Sequence, residues 1–291
     1  MLISVIIPTY NRVQGLKYIL ELFLTQKKQS WWNYELIIVD NNSTDSTGQY
    51  LEELTHKDQR VKSLVELKQG TGFALNKGIT SAQGEIIVVS ADDVVIQEDR
   101  LMIIAEIFKN NPDVQCATGK VLPLWNGLKP PQWYSDQVKG VLVHVDYGNQ
   151  RKVVNYCVGT NTCFRKTVFE RFGLFDTAWR FEDVHFARRI REAIKIHYFP
   201  QMFVYHPVHP ERLTKSYFKR WYALAGAFEG NDVQVSGRNI FHVELWRYKK
   251  AFTQMIQYGR SLFDTPQRFY HQCELIFFMS LFLQRNGRFK A

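Results

Sequence analysis

Two adjacent carboxylates, Asp92 and Asp93, follow a predicted β-strand over Glu85–Ser90. Magnesium and manganese prefer oxygen ligands, and in enzymes they bind through one or two carboxylates together with substrate phosphates. The pair is therefore a candidate metal site. An Asp-Asp pair can also form a turn between a strand and a helix, with Asp93 or Asp99 as the helix N-cap. The spacing of the two residues alone favours that second interpretation.

Carboxylates and an imidazole at three other positions could also do chemistry. Asp40 ends a predicted strand and could accept a hydrogen bond from a uracil N3–H or from ribose hydroxyls, or it could form a turn. Glu182 and Asp183 open a predicted helix, whose dipole favours an ionised carboxylate. They are candidates for a general base, or they are ordinary first-turn acids. His206, in YHPVHP, is a candidate metal or phosphate ligand, or it is structural.

The elements that position these residues alternate between strand and helix over the first hundred residues. The sequence predicts four strands, at Leu2–Pro8, Glu35–Asp40, Val61–Leu67 and Glu85–Ser90, and the apolar runs of the first two predict that they are buried. Helices are predicted from Asn11 as N-cap, from Ser46, and within Gly70–Gln83. This order favours a mostly parallel sheet with helices on both faces. Ligands bind at the carboxyl ends of such strands, so we expect Thr9–Asn11, Asp40–Ser43 and Asp92–Asp93 to meet in one crevice.

The remainder of the chain is less regular. We expect a helix over residues 99–110, a long structured loop or short hairpins over 119–150, and a strand or loop at Cys157–Phe164. Further helices are predicted over Lys166–Phe172, from Glu182 to Ile194, and over Arg212–Phe228, with short strands at His197–Phe199 and Met202–Tyr205. From about residue 240 the chain is predicted to be helical.

Composition excludes several classes of protein. With 45% apolar and 22% charged residues, the chain of 291 residues can bury a large core and is not disordered. Its four cysteines form no CxxC pair, which argues against a disulfide scaffold or a zinc finger, so we interpret them as core residues. Neither GxGxxG after the first strand nor GxxxxGK[ST] occurs, which disfavours a Rossmann dehydrogenase and a P-loop NTPase. No apolar run reaches the about 20 residues of a membrane span, and no signal peptide is recognisable, so we expect a cytoplasmic protein.

Positive charge is concentrated at the end of the chain. The net charge is +9, and residues 212–291 contain 13 basic and 5 acidic residues. Such a segment is typical of a protein that contacts an anionic membrane or nucleic acid, or it is a solvated basic face. Glu274–Leu283, followed by Arg285, Arg288 and Lys290, suits an interfacial helix on the inner face of the plasma membrane. The alternative is a helix packed on the protein or at a dimer interface. No nucleic-acid recognition motif occurs, so we expect no nucleic-acid partner.

Seven stretches occur in a characteristic order over residues 1 to about 230. They are SVIIPTYNR, IIVDNNSTD, GTGFALNKGI, IIVVSADD, GTNTCFRKTVFERFGLFD, FEDVHFARRIREAIKIHYFP and VYHPVHPERLTKSYFKRWY. Together they resemble a family 2 glycosyltransferase, most closely the bacterial enzymes that build polysaccharides or glycolipids. The resemblance implies an α/β GT-A fold, with a Rossmann-like, mostly parallel sheet flanked by helices. It implies a catalytic domain over 1–230, with a nucleotide-sugar half (1–100) and an acceptor half (101–230), and a helical C-terminal extension over 231–291.

The resemblance also implies roles for particular residues. Nucleotide-sugar-binding positions fall on Pro8, Thr9, Tyr10, Asp40, Asn42, Asn76, Lys77 and Asp92. The metal motif falls on Ser90–Asp93, with Asp92 as the direct ligand and Ser90 in place of the usual first acid. The metal ligands are then Asp92, Asp93 and His206. The catalytic pair falls on Glu182 and Asp183, with Asp183 as the base.

The function so implied is inverting transfer of a sugar, assisted by Mn or Mg, from a nucleotide-sugar to a hydroxyl of a glycan or lipid-linked acceptor. A UDP-sugar is the favoured donor. A processive synthase is not expected, because Lys219-Arg220-Trp221 only faintly resembles QxxRW and lacks its Gln. A sugar-nucleotide pyrophosphorylase is disfavoured, because PTYNRVQGL lacks the glycine-rich start of that class. A catalytically degenerate binding or scaffold subunit is the alternative, and Ser90 is the feature that favours it.

Overall fold

The computed structural model describes residues 1–178, 181–235, 240–261 and 263–285. Contacts within the chain group its residues into two units. Unit 1 comprises Met1–Leu124 and His144–Pro207, and unit 2 comprises Trp125–Val143 and Val208–Ala291. The functional boundary expected at residue 230 falls inside a helix of unit 2, Lys215–Val235, and stays a prediction.

Unit 1 is built on a mixed sheet, to which nine strands of the described residues belong. In chain order these are β1 (Leu2–Thr9), β2 (Asn33–Asp40), β3 (Val61–Val65), β4 (Ile86–Val89), β5 (Val95–Ile96), β6 (Cys116–Leu124), β7 (Lys152–Val154), β8 (Thr162–Arg165) and β9 (Ile196–Pro207). Their spatial order is β3-β2-β1-β4-β8-β6-β9-β5, with β7 paired to β9. The pairs among β1, β2, β3 and β4 are parallel, as the apolar runs predict, whereas β8 is antiparallel to both of its neighbours.

The register of the parallel strands brings the predicted polar segments to one edge of the sheet. Thr9, the last residue of β1, is the register partner of Asp40, the last residue of β2. The backbone N–H of Ser90, just beyond β4, donates to the carbonyl of Ile6 in β1. The expectation that β1, β2 and β4 end at the same edge of the sheet is therefore confirmed.

Six helices of unit 1 are α1 (Val13–Leu24), α2 (Thr47–Lys57), α3 (Thr71–Ser81), α4 (Arg100–Asn110), α5 (Lys166–Phe172) and α6 (Glu182–Ile190). The buried face of α1 carries five apolar residues, Val13, Leu16, Ile19, Leu20 and Phe23. The prediction that Asn11 is its N-cap is wrong. Arg12 holds that position, and the Asn11 side-chain oxygen accepts the backbone N–H of Thr44 instead. Asn11 therefore connects the end of β1 to the loop after β2.

Three expectations for residues 119–207 are corrected. The two short strands predicted around residue 200 are one continuous strand, β9, because pairing with β6 spans both. The helix predicted to reach Ile194 ends at Ile190, although Ile194 still packs in the core. Residues 119–150, expected to be a long structured loop or short hairpins, begin inside β6, and a 3₁₀ turn of unit 2 lies at Lys139–Leu142.

Helices α7 (Lys215–Val235), α8 (Ile240–Arg260) and α9 (Thr265–Arg285) belong to unit 2. Gly226 allows α7 and α9 to approach closely, because a Cβ there would collide with the carbonyl of Phe277. Phe278 and Leu281 of the predicted interfacial segment are buried inside this unit, while Met279 and Leu283 are exposed. The packed-helix alternative therefore accounts for Phe278 and Leu281, and Arg288 and Lys290 lie outside the described residues. None of the described helices combines the length and apolar character needed to cross a bilayer.

All four cysteines are buried and free, as expected.

Candidate functional site

A cavity of about 370 Å³ opens at the carboxyl ends of β1, β2 and β4. It is lined by Pro8, Thr9, Tyr10, Arg12, Asn41, Thr71, Ala91, Asp92, Asp93, Thr160 and His206. Six of these are residues that the sequence predicted: Pro8, Thr9, Tyr10, Asp92, Asp93 and His206. We call this space the strand-end cavity.

A connected set of polar side chains forms one wall of the strand-end cavity. Thr9 Oγ1 donates to Asp92 Oδ2 at 2.8 Å. Arg12 Nη1 donates to Asp92 Oδ1 at 3.1 Å and to Asp93 Oδ2 at 2.7 Å. His206 Nε2, on β9, lies 3.7 Å from Asp93 Oδ1. Burial raises the pKa of Asp92, and the hydrogen bond from Thr9 and the charge of Arg12 oppose that rise.

Two carboxylates and an imidazole are ligand types that Mn²⁺ and Mg²⁺ accept. Within the described residues, no group of three or more His, Cys, Asp and Glu side chains is arranged to hold an ion by itself. However, a single cationic nitrogen, Arg12 Nη1, contacts Asp92 and Asp93 at once, which marks a position where positive charge is favoured. The residues therefore fit a divalent ion whose remaining ligands are substrate phosphate oxygens or water.

A second cavity of about 440 Å³ shares Thr71, the first residue of α3, with the strand-end cavity. We call it the Glu182 cavity. Its lining comprises Gln69, Gly70, Thr71, Gly72, Phe73, Thr177, Ala178 and Glu182. Gly70 has a φ of 140°, which side-chain-bearing residues rarely adopt, so the turn into α3 depends on glycine.

Glu182 and Asp183 begin α6 but have different surroundings. Glu182 lines the second cavity, and burial, followed by the charge of Asp183, raises its pKa to about 7. The carboxylate of Asp183 accepts the backbone N–H groups of Gly159 at 2.9 Å and of Val184 at 2.8 Å. Burial raises the pKa of Asp183, and these N–H groups oppose the rise. Asp183 does not belong to the lining of either cavity.

Four residues expected to bind the nucleotide-sugar also lie outside both linings. Asp40 is buried and accepts the backbone N–H of Ser43, and Asn42 is exposed with a left-handed φ of 63°. Asn76 exchanges two hydrogen bonds with the backbone of Phe175. Lys77 donates to the carbonyl of Val65 and lies 3.9 Å from Glu66. Their binding roles stay predictions.

Five lining residues were given no role from the sequence: Arg12, Asn41, Thr71, Ala91 and Thr160. Of these, Asn41 belongs to the Asp40–Ser43 segment expected in the crevice, and Ala91 to the Ser90–Asp93 motif. Asn41 organises its surroundings. Its Nδ2 donates to the carbonyls of Glu66 and Lys68, and its Oδ1 accepts the backbone N–H of Gly70. Ser90, which replaces the usual acid, is buried, and its hydroxyl makes no hydrogen bond among the described residues.

The family model described as glycosyl transferase family 2 matches residues 4–173. The chain belongs to this family. Glycosyl transferase family 2 is a family of inverting enzymes.

Two curated relatives of this family 2 protein come from a bacterium and an archaeon. Glycosyltransferase GlyG of Streptococcus pneumoniae is 38% identical over 34% of this chain and 33% of its own length. The glucosyl-dolichyl phosphate glucuronosyltransferase of Haloferax volcanii is 25% identical over 61% of this chain and 56% of its own length. The chain thus spans about a third to a half of these relatives.

Solved structures show that this family 2 chain has the GT-A fold. The mannosyltransferase PcManGT from Pyrobaculum calidifontis, in complex with GDP-Man and Mn²⁺, matches 99% of this chain and 88% of its own, with a TM-score of 0.66 and 16% identity. S. aureus TarS in complex with UDP-GlcNAc matches 100% of this chain and 93% of its own, with a TM-score of 0.59 and 17% identity.

Proposed function

We propose that this protein transfers a sugar from a nucleotide-sugar to an acceptor hydroxyl, with inversion at the anomeric carbon. The observation that carries the proposal is the pairing of two cavities that share Thr71. One contains the Asp92–Asp93 pair with Arg12 and His206, and the other contains a carboxyl group, Glu182, whose pKa is near 7. Family membership supports the same reaction.

The donor occupies the strand-end cavity in this proposal. Tyr10 lines it and is half exposed, so its ring can stack on a nucleobase. Asp92, Asp93 and His206 are the proposed metal ligands. A divalent ion held there supplies Lewis-acid neutralisation of the charge that develops on the departing diphosphate. Arg12 and His206 are this chain's own groups that face the same charge.

The acceptor hydroxyl is activated from α6. An ionised carboxylate in contact with the attacking oxygen accepts its proton, and such general-base assistance contributes about 10²–10⁴ in rate. Asp183 is the base implied by the family resemblance, and Glu182 is the α6 carboxyl group that lines a cavity. A single displacement with one base inverts the anomeric configuration, because the attacking oxygen and the leaving group lie on opposite faces of the sugar.

We favour a UDP-sugar as donor and a glycan or lipid-linked glycan as acceptor, in polysaccharide or glycolipid biosynthesis. The UDP-GlcNAc bound by TarS and the polysaccharide synthase among the relatives, the poly-beta-1,6-N-acetyl-D-glucosamine synthase of Staphylococcus epidermidis, support this class. GDP-Man bound by PcManGT supports a guanosine donor instead. The location that we propose is the cytoplasm, or the inner membrane face through the basic C-terminal segment.

Calorimetric titration with UDP, dTDP, GDP and CDP, each with Mn²⁺ and then with EDTA, tests the donor site. We expect one nucleotide to bind, and EDTA to weaken its binding. Asp92→Asn should lose the metal dependence, while Asp58→Asn, a charge-matched control in the Asp58–Arg60 ion pair, should not. If folded protein binds none of the four nucleotides, the enzyme proposal fails and the scaffold alternative, suggested by Ser90, takes its place.

A further inference from the structure

Arg12 contacts the oxygens that a metal ion would need. Its Nη1 atom lies 3.1 Å from Asp92 Oδ1 and 2.7 Å from Asp93 Oδ2. The other oxygen of Asp92 already accepts the hydroxyl of Thr9. An ion bound by both carboxylates must therefore compete with this guanidinium for the same negative charge.

Adjacent, largely buried carboxylates need such a counter-charge. The side chains of Asp92 and Asp93 are only 12% and 15% exposed, so water screens their mutual repulsion poorly. Among the described residues that line the cavity, Arg12 is the side chain with a permanent positive charge. Without metal, its positive charge offsets the repulsion between Asp92 and Asp93.

Arg12 is also held loosely enough to move. Among the described contacts, its guanidinium bonds only these two carboxylates, and the side chain is 36% exposed. Arg60 offers a contrast within the same unit. Its guanidinium bonds Asp58, the Tyr34 hydroxyl and the carbonyl of Leu24. Displacing the Arg12 guanidinium therefore breaks fewer hydrogen bonds than displacing that of Arg60 would.

We propose that Arg12 is a resident counter-ion, which occupies the cation position between Asp92 and Asp93 without metal and yields it when a divalent ion binds. The released guanidinium remains at the lining of the cavity and pairs with the diphosphate of the nucleotide. This second step rests on the proposed function, whereas the competition with metal does not. Arg12 thereby lowers the affinity for metal alone and raises the affinity for a nucleoside diphosphate.

Mn²⁺ binding without nucleotide, measured by the electron paramagnetic resonance signal of free Mn²⁺, tests the competition. Arg12→Met removes the charge and keeps most of the side-chain length. Lys17→Met is the matched control. Lys17 lies on α1 with its ammonium group over the ring of Tyr50, so this substitution removes one positive charge outside the cavity. We expect Arg12→Met to bind Mn²⁺ about tenfold more tightly than the wild type. Lys17→Met should bind like the wild type.

A second arm uses UDP at saturating Mn²⁺, where Arg12→Met should bind about tenfold more weakly because a charged hydrogen-bond donor is lost. Arg12→Gln should shift both affinities in the same directions, and it serves if Arg12→Met does not fold. Unchanged or weaker Mn²⁺ binding by these variants overturns the proposal, as does the absence of Mn²⁺ binding to every form. A wild type that binds Mn²⁺ but no nucleotide contradicts the proposed function while leaving the competition measurable.

Discussion

The carboxylate of Asp183 accepts a hydrogen bond at 2.9 Å from the backbone N–H of Gly159. Gly159 directly precedes Thr160, which lines the strand-end cavity. Asp183 is thus connected through the backbone to the proposed donor site, whereas its neighbour Glu182 faces the second cavity. Substitutions at the two positions should therefore have separable effects.

Asp183→Asn should lower sugar transfer by about 10²–10⁴, because an amide cannot accept the hydroxyl proton. The amide keeps the shape of the side chain and can still accept one backbone N–H. We therefore expect donor affinity to change by less than about threefold, which corresponds to less than one hydrogen bond. Steady-state transfer assays and calorimetry measure the two quantities.

Comparing Glu182→Gln with Asp183→Asn decides which of the two carboxylates is the base. If Glu182→Gln abolishes transfer while Asp183→Asn retains most of it, Glu182 is the base and the role implied for Asp183 is wrong. A protein that shows no turnover with or without either substitution, and whose donor binding neither substitution changes, is the scaffold subunit.

The free energy of unfolding should fall as the pH rises, because the pKa of Glu182 is raised in the folded protein. Burial, followed by the charge of Asp183, raises its pKa in the folded state to about 7, from an ordinary value of 4.5. Between these values the folded state binds more protons than the unfolded state, so stability is lost as pH rises through about 7. Between pH 5 and pH 8, the free energy of unfolding measured with denaturant should fall more for the wild type than for Glu182→Gln. If the stabilities of the two proteins depend on pH in the same way, the pKa of Glu182 is not raised by folding.

Tyr10 should contribute to nucleotide affinity and not to folding. It lines the strand-end cavity at 49% exposure. Stacking of a base on an aromatic ring is worth about 1–3 kcal/mol, so Tyr10→Ala should weaken nucleotide binding by about 5- to 150-fold. Tyr10→Phe should retain most of the affinity. Tyr18→Ala, at a 53% exposed position on α1, is the control and should bind normally. Equal losses in both alanine variants would refute the stacking role.

Local apolar pattern was enough to predict the first four strands and the meeting of their carboxyl ends. Three of these strands, β1, β2 and β4, are apolar runs buried along almost their whole length, so their identity depends little on distant contacts. The edge strand β3 is only partly buried. The continuity of β9 was not predictable in the same way. Its exposed polar residue Gln201 interrupts the apolar pattern, whereas β6 pairs with β9 on both sides of that residue, at Ile196–Tyr198 and at Phe203–Pro207.

Within the site, residue type indicated the carboxylates but not their partners. Asp92, Asp93 and His206 were found because their side chains suit metal chemistry. Arg12 was missed because its role depends on a contact with residues 80 positions away in the sequence. Asn76 was predicted to bind the nucleotide-sugar, but its side chain forms two hydrogen bonds with the backbone of Phe175. No local sequence pattern reveals that contact, because the two residues are far apart in the chain.

Close packing between β6 and β9 should make Gly119 irreplaceable. A Cβ at this position would collide with the carbonyl of Met202 on β9. The backbone at Met202 is held in place, because its carbonyl also accepts a hydrogen bond from the Asn161 side chain. The same strand, β9, carries His206. Gly119→Ala should therefore lower the free energy of unfolding by more than about 3 kcal/mol.

Gly140→Ala is the control, because a Cβ there meets no atom within 4 Å. It should change stability by less than about 0.5 kcal/mol. Chemical denaturation compares the two variants, and calorimetry with Mn²⁺ reports whether the displaced strand also moves His206. A Gly119→Ala protein as stable as Gly140→Ala would show that β6 and β9 are not packed this closely. If Gly119→Ala folds, we expect weaker Mn²⁺ binding, since the proposed ligand lies four residues beyond the collision on the same strand.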